Sequence, residues 1–356
     1  MSQATARWWA VLGCGLALVA TAAPSPERRT VSTHATNLQI APADRRAPEQ
    51  TFLTFPEWFL VFSPAEYARA VGAGQPPSDF PFFGHVAQFW SAYRQVSQAT
   101  RGYPFNREYH TMITVIGVST TVEYTLKGSY ELVVGRITEA LAGAADATPE
   151  DRLAAAQAQA YVDFIRVRPW YEFDFITPLR QLWTQTPAWG PAPARKWERR
   201  YLLTSEWLLK AGYAAAIQWA TRSTFEPPKA TTVVIVDRLP ANIAHSLPDA
   251  DLVSKDGDAA MLALPRYQAF TDQALRLARS GTGFIEIAGN RGDLLVSIVS
   301  RREHQVPAGT HVLIQQAIAT RPGYERRVLQ LPVSRLSATL VASFAAGDQI
   351  EHVFDY

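Results

Sequence analysis

The spacing of apolar positions changes once along this chain, near Glu226-Pro227-Pro228-Lys229. Before that point apolar residues recur every three or four places, as amphipathic helices require. Beyond it they form short β-branched runs typical of strands. In the first part, Ser63, Pro64 and Glu66 occupy the cap, first-turn and capping-box positions of a short helix. His85, Phe89 and Tyr93 follow at fourfold spacing on one helical face. Asn106 is placed to cap a long segment over residues 107–141. Thr148-Pro149-Glu150-Asp151 opens a helix that runs to Arg168, and Thr177-Pro178 opens a short one ending near Trp183. Residues 194–224 make the last helix of the series.

In the second part, strands are expected over residues 231–236, 284–288, 294–299, 311–318, 326–331 and 349–354, with helices over 264–279 and 334–345. Gly289-Asn290-Arg291-Gly292 lies between two of those strands and reads as a hairpin turn. The order predicts an aromatic-rich helical N-terminal domain followed by a ferredoxin-like α+β sandwich with an inserted hairpin. Its closing strand–helix–strand is similar in shape to small ligand-sensing regulatory domains, and shape alone carries no function. No internal repeat stands out in the sequence.

The N-terminus carries a different pattern. Arg7 precedes an apolar run over residues 8–20 that ends in Ala20-Thr21-Ala22-Ala23. A charged start, a short apolar core and a small-residue exit predict a signal peptide or membrane anchor over residues 1–23. The run is short for a bilayer span, which takes about 20 residues. Residues 24–50, rich in Pro, Arg, Ser and Thr, are expected to be a flexible stalk. The helical domain is placed at 51–225 and the α+β domain at 230–356. This arrangement predicts a periplasmic protein, or one anchored in the inner membrane and facing the periplasm.

Composition narrows the function classes. The 356 residues are 47% hydrophobic, enough for one large or two ordinary domains. The formal charge is +2, and losing Arg7 with the N-terminal segment lowers it to +1. Such a balance argues against nucleic acid as a partner, which needs a clustered basic face. Cys14 is the one cysteine and lies within the N-terminal run, so a processed chain has no disulfide or thiolate ligand. The 10 Trp, 17 Phe and 13 Tyr are concentrated in the first two-thirds.

Two constellations carry candidate chemistry. Phe164 to Trp219 interleaves tryptophans with cations; Trp183, Arg195, Lys196, Trp197, Arg199 and Arg200 are the candidate interfacial residues, with indoles at headgroup depth and cations on phosphates. The other reading of the same residues is a tryptophan core with solvated arginines. His85, Glu108, His110 and Glu123 are the candidate acid–base set. Glu108 and His110 stand only two apart, so a site needs tertiary convergence. Glu123, Lys127 and Glu131 stand four apart, an alternating-charge stripe that faces water or another helix. No Gly-x-Ser-x-Gly occurs and no residue pattern names a cofactor or small ligand. The function expected is non-enzymatic binding or accessory work at a membrane surface or on an envelope protein. An acid–base or metal-dependent enzyme in the helical domain, or ligand sensing by the α+β domain, are the alternatives.

Overall fold

The computed structural model describes residues 37–143, 147–221, 230–240, 247 and 249–354, and in it a group of helices packs against two antiparallel sheets. The mixed α+β class expected from the sequence is the one observed. The N-terminal run of residues 1–23 and residues 24–36 of the expected stalk lie outside the described residues.

Helix α1 (Gln50–Gly72) is the central pillar. Phe52, Leu53, Phe55, Trp58, Phe59 and Phe62 point in several directions around it and all are buried. A helix that is apolar all round belongs in a core. The start signal at Ser63 is therefore overridden, and α1 runs through Pro56 and Pro64 without a break. An interior proline costs an ordinary helix about 3 kcal/mol, which the burial of several aromatic side chains at about 1.5–3 kcal/mol each outweighs.

Around this pillar stand α2 (Phe82–Ala99), α3 (Arg107–Tyr130) and α4 (Arg136–Ala142), the last two joined by a π-helical turn at Glu131–Gly135. Asn106 caps α3 by accepting from the Tyr109 amide at 3.1 Å. Helix α5 (Pro149–Ile165) begins with a capping box between Thr148 and Asp151. Helix α6 (Ile176–Gln185) is capped three residues earlier than the expected Thr177, by Asp174, which accepts from the Ile176 and Thr177 amides at 2.9 and 3.1 Å. Helix α7 (Pro193–Thr221) closes the group.

Among the described residues eight strands follow: β1 (Thr231–Val236), β2 (Asp251–Asp256), β3 (Ala259–Pro265), β4 (Phe284–Ile287), β5 (Asp293–Arg301), β6 (His311–Ala317), β7 (Tyr324–Pro332) and β8 (Gln349–Val353). Helix α8 (Gln268–Arg279) precedes β4 and α9 (Leu336–Ala345) precedes β8. The strands do not form the single expected sandwich. They form two four-stranded sheets, ordered β2-β3-β1-β4 and β6-β7-β5-β8.

Each sheet has the same connectivity: strand, hairpin, helix, strand. The irregularities coincide as well. The second strand of each is bulged, between Leu252 and Ser254 and between Val312 and Ile314. The fourth strand of each skips one residue opposite the first, at Ile285 and at Glu351. Bulges are specific features rather than defects, so residues 231–287 and 293–353 are two copies of one structural unit. Their helices α8 and α9 pack together. The sequence conceals this repeat because the two copies share hydrophobic pattern and not residue identity.

Two particular expectations are corrected. The β2–β3 hairpin is an addition to the expected strands; Asp256 pairs with Ala259 across Gly257-Asp258, and Gly257 has φ +61°, which suits a two-residue hairpin loop. Gly289-Asn290-Arg291-Gly292 does not close a hairpin, because β4 pairs with β1 and β5 with β7 and β8. The turn instead carries the chain from one sheet to the other, through Ala288 at φ 47° and Gly289 at φ 85°. Residues 37–49 also pack on the body. Leu38 and Ile40 are buried against Ile235 and Met261, and Arg46 donates to the Phe354 carbonyl at 3.1 Å.

Helices and sheets share one apolar core that runs from Phe52 and Phe89 to Leu294, Val328 and Leu340. Strand β5 is buried at every position from Leu294 to Ser300, so both its faces are covered. Polar links cross the same boundary: the Leu295 amide donates to Thr51 Oγ1 at 3.1 Å, and Arg326 meets Glu66 at 2.9 Å.

Close packing sets a contrast between two helical glycines. A methyl group on Gly117 in α3 would lie 2.9 Å from the Trp90 ring and overlap Phe89, whereas nothing stands within 4 Å of that position at Gly212 in α7. Overpacking costs about 1–3 kcal/mol and exceeds the ~1 kcal/mol helix-propensity gain from Gly to Ala. Urea unfolding is expected to show Gly117→Ala destabilised and Gly212→Ala stabilised by roughly 0.5–1 kcal/mol.

Candidate functional site

Charged side chains in the helical half are concentrated where α3 and α4 run antiparallel to α7. Glu123 pairs with Lys210 at 3.0 Å, Lys210 with Glu206 at 2.8 Å, and Glu206 with Lys127 at 3.0 Å. One turn on, Arg199 donates two parallel bonds to Glu131, both 2.8 Å. The π turn and Gly135 make room for that carboxylate, since a methyl group at Gly135 would overlap it. Arg199 also meets Glu198 at 2.6 Å, and Arg195 meets Glu198 at 3.3 Å, Asp151 at 2.9 Å and Glu139 at 3.3 Å. Facing α5, Glu150 takes Lys196 at 2.8 Å and Arg200 at 3.0 Å. The stripe Glu123, Lys127, Glu131 is thus helix-facing.

Burial makes these pairs obligatory. Glu131 and Glu150 are wholly buried, and Lys196, Arg199 and Arg200 nearly so. Desolvation raises the Glu206 carboxyl, but Lys127 and Lys210 outweigh it and hold it well below the usual carboxylate range. Desolvation likewise works against Lys210, and Glu123 and Glu206 overcome it and keep it charged. Burial raises Glu150, while its bonds from Lys196 and Arg200 bring it below its ordinary value.

A cavity of about 120 Å³ lies beside this seam, between α1, α3, α5 and α7. Tyr67, Tyr124, Tyr161, Phe173 and Trp207 form its walls, and the Lys127–Glu206–Lys210 group lies along one side. From its Tyr124 wall a buried polar chain crosses α1 to the second sheet. The Tyr124 hydroxyl lies 2.7 Å from Ser63 Oγ, which lies 2.8 Å from His85 Nδ1. His85 Nε2 is 3.4 Å from Glu66, which pairs with Arg326, and Arg326 pairs with Glu351 at 2.6 Å. Burial, reinforced by Arg326, pushes the His85 imidazole down to about 3, so it is neutral near pH 7. Tyr124 donating to Ser63, Ser63 donating to Nδ1, and Nε2–H turned to Glu66 is the arrangement that fits a neutral ring. Ser63 and Glu66, read as cap residues in the sequence, are in fact tertiary links in mid-helix.

The four acid–base candidates have separate surroundings. His85 is in the chain just described; His110 bonds the Tyr93 hydroxyl at 2.9 Å and stacks on Phe105 with centroids 4.6 Å apart. Glu108 is exposed, and Glu123 belongs to Lys210. No hydrogen bond, ion pair or ring contact joins any two of the four, and among the described residues no cluster of three or more His, Cys, Asp or Glu is arranged to hold a metal. The six interfacial candidates divide. Trp183 and Trp197 stay at the surface, 49% and 41% exposed, while Arg195, Lys196, Arg199 and Arg200 are turned inward to their carboxylates. Arg200 lies under both indoles, 5.3 and 5.4 Å from their centroids.

With Lys127, Glu206 and Lys210 turned inward, the outer helical faces carry many apolar side chains. Between Tyr109 and Tyr130 the charged residues are Glu123 and Lys127, and between Tyr201 and Thr221 they are Glu206 and Lys210. These four pair with one another. The large apolar side chains outside on α3 and α4 include Val115, Val118, Val122, Leu126, Val133, Ile137 and Leu141, interleaved with Thr111, Thr114, Ser119, Thr125 and Ser129; on α7 they include Tyr201, Leu208, Leu209, Tyr213 and Trp219. The α3–α4 stripe extends about 40 Å at 1.5 Å per residue. No described helix is long and apolar enough to cross a membrane.

Comparisons with protein-family models, curated proteins and solved structures find no match to this chain.

Removing one partner of a buried pair strands the other, at a cost of about 3–5 kcal/mol. Glu150→Gln leaves Lys196 and Arg200 without their shared carboxylate, and a loss of that size is expected in urea unfolding monitored by circular dichroism. Glu206 titrates below its unfolded value of 4.5, so the unfolded chain takes up that proton first. Its stabilisation is complete above about pH 5 and is lost as pH falls through 4.5 toward the folded value. Stability measured between about pH 5 and pH 3 is expected to fall less steeply in Glu206→Gln than in the parent.

Proposed function

We propose that this chain is a membrane-surface binding protein, an accessory of the cell envelope, whose α3–α4 and α7 faces lie against lipid. The observation that carries the reading is the polarity of these helices: Lys127, Glu206 and Lys210 are paired on the inner side, and the large side chains outside are mostly apolar. An exposed apolar surface of this extent marks an interaction site.

Lipid is favoured as the occupant on three grounds. The apolar side chains form long stripes rather than a compact patch, so they suit a broad surface. Trp183, Trp189, Trp197 and Trp219, with Tyr201 and Tyr213, are exposed beside them, and such rings favour headgroup depth. The N-terminal sequence, with Arg7 before an apolar run, supplies a second means of delivery to a membrane. That run supports export, which would put the body on the periplasmic side of the inner membrane. Neither helix need span; each lies in the interface with its apolar side down. Binding then rests on apolar contact, because the four cations once read as phosphate contacts are engaged internally.

The test is a depth measurement. With Cys14→Ser as background, a cysteine is placed at Leu126, Leu209 or Glu303 and labelled with the environment-sensitive dye NBD. Each protein is mixed with vesicles of phosphatidylethanolamine and phosphatidylglycerol. The labels at 126 and 209 are expected to shift to the blue and to be quenched by doxyl lipids, in 1 M as in 0.1 M salt, while the label at 303 stays aqueous. Equal exposure to water at all three sites overturns the reading, even if the N-terminal run holds the chain on the vesicle.

A further inference from the structure

We infer that the cavity between α1, α3, α5 and α7 is a binding site for a compact, mostly apolar molecule carrying a hydrogen-bond-accepting oxygen, such as a small aromatic aldehyde or carboxylate. This inference is independent of the membrane reading.

The first ground is size and lining. At about 120 Å³ the cavity approaches the ~150 Å³ of an engineered protein cavity that binds benzene. Its walls offer ring faces and edges, including Tyr161 with Phe173 at 5.2 Å edge-on and Phe175 at 5.8 Å. Such surfaces suit a flat apolar body.

The second ground is the state of its polar groups. Tyr67 and Tyr161 line the cavity, and neither hydroxyl has a hydrogen-bond partner among the described residues. Burial pushes the Tyr161 hydroxyl up to about 12, against the pull of Lys210, and raises Tyr67 as well, so both keep their protons. Their neighbours are already committed. Glu206 accepts from Lys127 through both oxygens, at 3.2 and 3.0 Å, and from Lys210 at 2.8 Å. Neither phenol hydroxyl is sealed from solvent, so each is a donor that can turn to an acceptor entering the cavity. The open capacity of the site is therefore donor capacity: two phenols, plus ammonium protons that the carboxylates do not use. A matching ligand brings an acceptor.

The third ground is access. Glu123, on the cavity lining, has a side chain 45% exposed, so the pocket reaches solvent at that rim. The quartet Glu123, Lys127, Glu206 and Lys210 is neutral in sum. It holds the donors in place without demanding a charged ligand.

The experiment is calorimetric titration of the full-length protein with benzaldehyde, benzoate and toluene, which share a ring and differ in the acceptor. Benzaldehyde or benzoate is expected to bind about tenfold or more tightly than toluene. Tyr67→Phe and Tyr161→Phe are each expected to weaken that ligand by about 3- to 10-fold while leaving toluene unchanged. Ala158→Trp fills the space and is expected to abolish binding of all three. It serves as the check if a tyrosine variant fails to fold. Equal affinity for toluene and the oxygen-bearing probes overturns the inference. So does unchanged binding in both phenylalanine variants, unchanged binding in Ala158→Trp, or no binding of any probe at millimolar concentration.

Discussion

Charge withdrawn from water must be paired, and that constraint organises the helical half of this protein. A carboxylate or ammonium buried alone costs several kcal/mol, so each charge placed between α3, α4, α5 and α7 fixes where its partner stands. The antiparallel register of α3 against α7 is written in those pairs: Glu123 with Lys210, Lys127 with Glu206, Glu131 with Arg199. Even the π turn serves this register, since it sets the Glu131 carboxylate opposite the Arg199 guanidinium. Buried ion pairs add little net stability compared with apolar packing, but they penalise every misaligned alternative.

The same commitment determines the surface. Helices that spend most of their mid-helix charges on one another have few left for solvent, and the large side chains on their outer faces are mostly apolar. In an ordinary water-soluble bundle the distribution is the reverse, with a stripe of apolar residues inside and charges outside. The seam and the outer stripes are thus two consequences of one sequence pattern, and the membrane reading follows from both together. The cavity has the same origin. It lies where four helices held by ion pairs and aromatic rings do not close completely, and its unused donors are those the carboxylates left over.

The sheet half is built on another principle, repetition. Two copies of a strand–hairpin–helix–strand unit, bulged at matching places, bury one core in common with α1. The polar chain from Tyr124 through Ser63 and His85 to Glu66 and Arg326 ties the helical cavity to the second copy. Glu351, the bulged residue of β8, anchors the far end of that chain. A neutral His85 fits a structural link, since burial keeps its second proton away near pH 7.

Local chemistry made much of this legible. Asn106 and the Thr148–Asp151 box mark helix starts because caps satisfy backbone groups within a few residues of themselves. The change of period near residue 229 marks the passage from helices to strands for a similar local reason. What could not be read was every outcome decided by distant partners. Ser63 and Glu66 look like a helix start, yet α1 is buried all round and continues through them. Arg195, Lys196, Arg199 and Arg200 look like a basic surface, yet Glu150, Glu131, Glu198 and Asp151 draw them inward from other helices. Asp256-Gly257 is a hairpin signal whose two strands do pair, and Gly289-Asn290 is one whose strands find other neighbours. Sequence by itself determined the starts of α3 and α5, the passage from helices to strands and the near absence of net charge, because these depend on short-range sterics and composition. Tertiary structure alone decided which face of each helix meets solvent, which charges are buried, and that eight strands divide into two like sheets. Those outcomes depend on desolvation and pairing between residues far apart along the chain.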